Sequence, residues 1–145
     1  MQPLPHRYTT NAVGGPEGTI AVSAPSLPDL ATAAPAEFGG PGDLWSPEAL
    51  LSASVADCFV LTFRALARVA KVEWSRLDVR VEAVLDRADG VTQFTRYVTR
   101  ATLTMPPAGD EAKAHALLEK AEARCLVANS LKGARELAVE IVRGG

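Results

Sequence analysis

The chain has 145 residues, 48% of them hydrophobic and 22% charged, with a formal net charge of −2. This length and composition predict one domain, residues 1–145, that buries a core, and they exclude a disordered chain. Its basic residues are scattered, which argues against a nucleic-acid partner. The apolar runs are interrupted by Asp57, Arg64 and Arg68 and no signal peptide is evident, so we expect no membrane span and a cytoplasmic location.

The first part of the chain contains the signals of short strands. Weak alternation over residues 8–13 predicts a first strand, and residues 19–23 predict a second. The glycine-rich residues 14–18 between them indicate a turn, so the two strands should form a hairpin. A third short strand is expected at residues 29–33, and the proline- and glycine-rich residues 35–43 predict an irregular loop.

The longest predicted element is a helix that starts at Ser46 and ends near Lys71. Ser46 is a typical N-cap, Pro47 suits the first helical position, and the Glu48 carboxylate meets the positive end of the helix dipole. The rest of the segment contains no proline or glycine. We expect one apolar stripe of this helix to be buried. It comprises Leu51, Ser54, Val55, Cys58, Leu61, Thr62 and Ala65.

The second half of the chain predicts a long hairpin. Residues 74–85 alternate between apolar and polar side chains, as in a half-buried strand. Residues 86–90 form the predicted turn, with Asp-Gly as its strongest signal. Residues 91–105 are rich in threonine, valine and aromatic side chains, which indicates a second long strand that ends at two prolines.

The C-terminal part predicts two helical segments and a last strand. Asp110 opens a helix that ends near Cys125, and residues 129–133 predict a further helical turn closed by Gly133. A final strand follows, in which the apolar residues alternate. They are Leu137, Val139 and Ile141. Strands, helix, hairpin, helix and strand together predict the α+β class.

The two cysteines have two interpretations at this point. Each is either a small buried hydrophobe or a redox-active thiol. A buried thiol is inert unless a cation or a hydrogen-bond donor stabilises its thiolate, and the sequence places no such group next to Cys58. Ten residues separate Glu48 from Cys58, about 15 Å of helix rise. These two side chains cannot touch within one chain unless the helix bends sharply, so a second subunit is the simplest way for them to share a site.

Metal and cofactor motifs are not found in the sequence. His6 and His115 have no second ligand at metal spacing, so we expect no metal site. The two glycine pairs match neither a phosphate loop nor a dinucleotide-binding fingerprint, so we expect no cofactor.

Several segments together resemble the OsmC/Ohr family, the osmotically inducible and organic hydroperoxide resistance proteins, which are small thiol-dependent peroxidases. The resemblance covers nearly the whole chain. Its segments are Phe38-Gly39-Gly40, Ser46-Pro47-Glu48-Ala49-Leu50-Leu51, Ala56-Asp57-Cys58-Phe59, and residues 121–131 around Cys125.

The resemblance implies an intertwined α+β homodimer, in which antiparallel sheets wrap around long central helices and the active sites lie at the subunit interface. It implies that Cys58 is the peroxidatic thiolate, that Cys125 is the resolving thiol, and that Glu48 orients a cation near Cys58. The expected substrates are organic hydroperoxides in an antioxidant stress response. The expected reductant is a dithiol such as a lipoyl-bearing protein, with no metal or flavin.

This chain also departs from the family pattern. Pro16 stands where peroxidase members carry an arginine, and Arg7 is the candidate substitute for that cation. Asp57 replaces a small residue before the first cysteine, and Leu126 replaces a proline after the second. The departures indicate a divergent member. A second hypothesis is therefore a catalytically weak dimeric protein of this family that binds an apolar small molecule.

Overall fold

A small antiparallel sheet forms the first part of the protein. In the computed structural model, which describes residues 1–144, this sheet comprises β1 (Asn11–Val13), β2 (Ile20–Ser23) and β3 (Leu30–Thr32), in the order β1-β2-β3. The three predicted strands and the predicted hairpin are confirmed, although each strand is shorter than expected. The chain divides into two compact units, Met1–Leu50 and a second unit that begins at Leu51. That one domain covers the whole chain stays a prediction.

The loop after β3 leads the chain into the long helix. It is irregular, as predicted, apart from one short 3-10 helix at Ala36–Phe38. Gly40 follows this helix at a point where a Cβ atom would lie 1.6 Å from the carbonyl oxygen of Ala34, so only glycine fits there. The backbone N–H of Ala33 donates to the carbonyl of Trp45 at 3.0 Å, which fixes the end of the loop.

The long helix α1 spans Pro47–Ala70, 24 residues, and confirms the predicted element. Its N-terminus is capped as expected, because the Ser46 hydroxyl oxygen accepts a hydrogen bond from the backbone N–H of Ala49 at 3.1 Å. Its C-terminus ends at Lys71, whose φ of 56° lies in the left-handed region.

The buried face of α1 differs from the predicted stripe. Leu61 is 51% exposed and Ala65 is exposed, although both were expected inside. The helix is apolar on more than one side, so helical spacing alone did not identify which side meets the sheet. The buried side chains instead recur every fourth residue. They are Val55, Phe59, Phe63 and Ala67.

The second sheet consists of β4 (Arg76–Ala88), β5 (Val91–Met105) and β6 (Ala134–Arg143), in the order β4-β5-β6. β4 and β5 are antiparallel, and β6 runs parallel to β5. The turn between β4 and β5 is only Asp89-Gly90, both with positive φ, so the turn predicted at residues 86–90 was too wide. A register shift between Val84 and Leu85 lets the pairing continue to the turn.

Two helices connect β5 to β6. α2 (Glu111–Arg124) is capped by the Asp110 carboxylate, which accepts from the backbone N–H of Lys113 at 3.0 Å, and α3 spans only Leu126–Asn129. The helical turn predicted at residues 129–133 was therefore placed too late. Gly133 does not close it: with φ of 104°, it passes the backbone of Thr95, where a Cβ atom would lie 2.8 Å from the carbonyl oxygen.

The core of the second unit lies between the sheet and the two longer helices. Phe63 packs edge to face against Trp74, with ring centroids 5.4 Å apart. The fully buried members come from α1, β5 and α2. They are Phe59, Phe63, Ala67, Ala101, Leu103, Met105, Ala114, Leu118 and Ala121.

By length and composition alone, α1 is apolar enough to cross a membrane, so its charged residues do not exclude a span, and the absence of a membrane span stays a prediction. A window of 18 residues tolerates the few charges that were expected to interrupt it. The core helix of a soluble protein passes the same test, and one side of α1 does pack into the core through Phe59 and Phe63. However, only 17% of the window is buried among residues 1–144, and several apolar side chains of α1 remain exposed there.

Candidate functional site

Cys58 lies in the middle of α1 and is half-buried. Its Sγ atom is 3.9 Å from the hydroxyl oxygen of Thr62, one turn later. That hydroxyl donates its own hydrogen to the carbonyl oxygen of Cys58 at 2.7 Å. Because its hydrogen is already used, the Thr62 hydroxyl can accept from a Cys58 thiol but offers little to a thiolate.

Cys125 is completely buried and lies between α2 and α3, where it adopts an extended backbone conformation with φ of −63° and ψ of 105°. Its Sγ atom is 4.0 Å from the carbonyl oxygen of Val55, which lies almost one turn before Cys58 on α1. Cys58 packs against the small buried cluster that contains Cys125. The structure therefore brings the two distant cysteines together, and both are free thiols.

Burial raises the pKa of the Cys125 thiol from 9.0 to about 11. The neighbouring Cys58 side chain and the negative charge of Glu122 also raise this pKa, whereas a hydrogen bond from the backbone of Ala128 lowers it. Cys125 is consequently protonated at neutral pH. Its S–H group donates to the carbonyl oxygen of Val55.

The pKa of Cys125 predicts a loss of stability in alkaline solution. Between pH 9 and 11 the folded protein keeps a proton that the unfolded chain releases, so the free energy of unfolding should fall as the pH rises through this window. The shift predicts a loss of up to about 3 kcal/mol. Urea unfolding in the presence of a reductant, at pH values from 8 to 11.5, measures it. A Cys125→Ser variant should lose this part of the pH dependence. If the free energy of unfolding falls equally steeply with pH in the wild-type protein and in the variant, the effect does not come from Cys125.

A polar network surrounds the break that contains Cys125, and sequence analysis missed it. The Arg135 guanidinium donates from Nε to the Glu122 carboxylate at 2.8 Å and from Nη1 to the Asn129 side chain at 2.7 Å. A third hydrogen bond joins Nη2 of Arg135 to the carbonyl oxygen of Glu122. No local spacing rule links a residue at the start of β6 to residues on α2 and α3, so only the folded structure reveals the network.

Glu48 is not close to Cys58 along α1, since ten residues of helix separate them, about 15 Å. One of its carboxylate oxygens, Oε1, is buried and has no hydrogen-bond partner among residues 1–144. Arg7 is exposed and precedes β1, and Pro16 lies in the turn between β1 and β2. Within residues 51–144, no lysine or arginine side chain makes a hydrogen bond to the Cys58 sulfur.

The described part of the chain contains no group of three or more histidine, cysteine, aspartate or glutamate side chains arranged to hold a metal ion. His115 instead lies 3.5 Å from the carboxylate of Glu119, one turn further along α2. His6 interacts with its neighbours Gln2 and Tyr8.

The structure is that of an α+β protein with a sheltered pair of thiols. Cys58 lies on the long helix α1, and Cys125 lies beside it in the break between α2 and α3. The family model described as OsmC-like protein matches residues 40–140, so the chain belongs to the OsmC-like family. The predicted family resemblance and the α+β fold class are both confirmed.

Relatives and solved structures agree with this assignment. The chain is 32% identical over 132 residues to the organic hydroperoxide resistance protein of Xanthomonas axonopodis pv. citri, covering 87% of this chain and 88% of that protein. It is 28% identical over 109 residues to the uncharacterized protein YmaD of Bacillus subtilis, covering 73% of each. An OsmC-like protein of unknown function from Vibrio cholerae has the same fold, with a TM-score of 0.83 and 14% identity over 95% of this chain and 100% of that chain.

Proposed function

We propose that the protein is a thiol-dependent peroxidase that reduces organic hydroperoxides. The observation that carries the proposal is the contact between Cys58 and Cys125, which are far apart in the sequence and adjacent in the fold. The hydroperoxide resistance protein of Xanthomonas, 32% identical to this chain, supports the choice of substrate class.

The proposed reaction has two steps within the protein. The Cys58 thiolate attacks the O–O bond of a hydroperoxide, ROOH, which gives Cys58 sulfenic acid and an alkoxide that takes up a proton to leave as the alcohol ROH. The Cys125 thiol then attacks the Cys58 sulfur, so that a Cys58–Cys125 disulfide forms and the hydroxyl group leaves as water. A dithiol reductant, such as a lipoyl-bearing protein, returns both thiols by exchange.

The environments of the two thiols suggest this division of roles. Cys58 is half-buried and therefore within reach of a substrate, whereas Cys125 is fully buried and protonated at neutral pH. Before the attack, the Cys125 S–H group can donate to the Cys58 thiolate. After it, the same group lies beside the sulfenic acid that it must reduce.

The surroundings of the thiol pair favour an apolar substrate. Most of the side chains packed around the two sulfurs are aliphatic, so an alkyl group would bury apolar surface that hydrogen peroxide lacks. They are Val55, Val81, Val127, Ala128 and Leu131.

We further propose that the protein acts as a homodimer in the cytoplasm. The exposed apolar side of α1 needs a partner, and a second copy of this chain is the partner that the family resemblance implies. A dimer would also provide a way for Glu48 to reach a thiol pair that its own helix keeps about 15 Å away. In that site, the unpaired carboxylate oxygen of Glu48 would orient a cation, with Arg7 as the candidate.

Counting thiols after oxidation tests the proposed function. Reduced protein is mixed with one equivalent of cumene hydroperoxide, denatured, and titrated with a chromogenic disulfide. We expect both free thiols to disappear together, and we expect mass spectrometry to find one disulfide between the peptides of Cys58 and Cys125. Two thiols that persist after several equivalents of hydroperoxide would reject the proposal.

A dimeric binding protein for an apolar small molecule is the second candidate. The absence of a cation bonded to the Cys58 sulfur within residues 51–144 favours it, because an unassisted thiol is a poor nucleophile. Rapid alkylation of Cys58 by iodoacetamide near pH 6 would count against this candidate.

A further inference from the structure

We infer that Arg135 is a positioning residue, which holds Cys125 in place for its attack on the oxidised Cys58. This inference rests on the proposed function and deepens its second step. It concerns a side chain on β6, outside the helix that carries Cys58 and outside the break between α2 and α3 that carries Cys125.

The position of Cys125 in the fold makes it dependent on outside support. Arg124 ends α2 and Leu126 begins α3, so Cys125 is the single residue between two helices. Its extended backbone interrupts the regular hydrogen bonding of the helix. The direction of its side chain therefore depends on how α2 and α3 are held relative to each other.

Arg135 bridges this break. On the side of α2, its guanidinium binds the Glu122 carboxylate at 2.8 Å and the Glu122 carbonyl oxygen. On the side of α3, it binds the Asn129 side-chain oxygen at 2.7 Å. Glu122 lies three residues before Cys125 and Asn129 four residues after it. Because the guanidinium is planar and rigid, bonds to both helices fix the angle between them.

The part of the bridge between Arg135 and Glu122 is largely sheltered from water, whereas Asn129 is exposed. The side chains of Arg135 and Glu122 are only 26% and 17% exposed, so solvent and salt screen their ion pair less than a surface pair. Asn129 is tied back to α2, since its amide nitrogen donates to the carbonyl oxygen of Ala123 at 3.1 Å. Hydrogen bonds therefore connect α2 and α3 across the break that contains Cys125.

Formation of the disulfide, the second step of the reaction, requires Cys125 to be held accurately in position. The Cys125 sulfur must approach the Cys58 sulfur from the packing contact of their cluster to the ~2.05 Å of a disulfide, along the line of the departing S–O bond. Cys58 sulfenic acid and the Cys125 thiol then give one disulfide and one water. An error of about 1 Å in the position of a reacting group lowers a rate by up to about 100-fold.

Arg143 provides a matched control. It lies eight residues later on β6, where it binds the Glu111 carboxylate at 3.0 Å and the carbonyl oxygens of Pro107 and Gly109, both at 2.7 Å. It therefore ties the same strand to the other end of α2 with the same kinds of bonds. None of these bonds reaches Cys58 or the break around Cys125, so the removal of Arg143 should cost stability without moving Cys125.

The experiment compares the two steps in Arg135→Gln, Arg143→Gln and Arg135→Lys. After a pulse of cumene hydroperoxide, dimedone trapping reports Cys58 sulfenic acid and thiol counting reports the disulfide. We expect Arg135→Gln to form sulfenic acid at the wild-type rate and the disulfide at least about tenfold more slowly. Arg143→Gln should form both sulfenic acid and disulfide at wild-type rates. Arg135→Lys should form the disulfide faster than Arg135→Gln but more slowly than the wild-type protein.

If Arg135→Gln forms the disulfide at the wild-type rate, or if Arg143→Gln forms it as slowly as Arg135→Gln, the inference is overturned. If Arg135→Gln does not fold, Arg135→Lys decides: it retains the charge without the planar geometry, and a wild-type second rate would reject the role. Oxidation by diamide supplies a test without hydroperoxide, since it also forms the disulfide through Cys58 followed by Cys125. If wild-type protein fails to react with hydroperoxides, the proposed function fails, while the diamide rates still measure the effect of Arg135.

Discussion

Replacing Cys58 with serine is expected to abolish turnover of alkyl hydroperoxides, lowering the steady-state rate by at least about 1000-fold. A serine hydroxyl is not ionised at neutral pH and does not form a sulfenic acid, so neither step of the reaction can begin. Cys125→Ser should instead consume one equivalent of hydroperoxide and then stop, because Cys58 is oxidised and no internal thiol reduces it. The measurement is hydroperoxide consumption, with a dithiol reductant in excess for the steady-state rate of Cys58→Ser and with no external thiol for the single equivalent consumed by Cys125→Ser, because an external thiol would reduce the sulfenic acid.

The comparison between the two variants makes this prediction specific. Both serines are close in volume to the cysteines they replace, so circular dichroism and thermal unfolding should confirm that each variant folds. Dimedone should label Cys58 in the Cys125→Ser variant and should label nothing in Cys58→Ser. Retained activity in Cys58→Ser, or labelling of Cys125 in that variant, would show that the roles of the two thiols are assigned wrongly.

Local signals in the sequence were sufficient to predict most of the elements. Ser46 and Pro47 at the start of α1 and the Asp89-Gly90 turn act through nearby backbone geometry, and the structure has the features they predict. The helical turn after Cys125 was misplaced because Gly133 was interpreted as a helix end. Its positive φ is required by the close approach of Thr95, which is distant in the sequence.

The buried face of α1 shows the limit of periodicity. The spacing of apolar residues fits a stripe through Cys58 and Leu61 as well as the stripe through Phe59 and Phe63 that meets the sheet. Which side is buried in the chain depends on the shape of the sheet and on α2. A pattern of i and i+4 residues contains no information about either.

The candidate site was predicted by resemblance and not by spacing. Nothing in the positions of Cys58 and Cys125 indicates that they meet, since a break between two helices brings the second thiol to α1. The Arg135 network at this break was missed for the same reason. Its partners lie on other elements, and an arginine at the start of a strand is ordinarily a solvated residue.

A glutamate on the exposed side of α1 is expected to convert a dimer into a monomer. Leu61 is 51% exposed and Val69 is 84% exposed in the single chain, and Ala65 lies between them on the same side of the helix. If a second copy covers this side, Leu61→Glu or Val69→Glu places a carboxylate in an apolar interface. The desolvation cost is several kcal/mol, which weakens the dimer by at least about 100-fold.

Light scattering at micromolar concentration measures the effect. The wild-type protein should have about twice the 15.3 kDa mass of one chain, and the two variants should have the mass of one chain. Val91→Glu is the matched control, because Val91 is also an exposed apolar residue but lies at the turn between β4 and β5. It should remain a dimer. A wild-type monomer, or a Leu61→Glu variant that remains a dimer, would contradict the proposed assembly.

The same variants connect assembly to chemistry. Within one chain, ten residues of helix hold Glu48 away from Cys58, so the role proposed for Glu48 at the thiol requires the Glu48 of a second copy. A folded monomer should therefore keep the contact between Cys58 and Cys125 and still form their disulfide with diamide. Its reaction with alkyl hydroperoxide should slow together with the loss of the dimer. A monomeric variant that reduces hydroperoxide at the wild-type rate would place the whole reaction within one chain and leave Glu48 without a role in it.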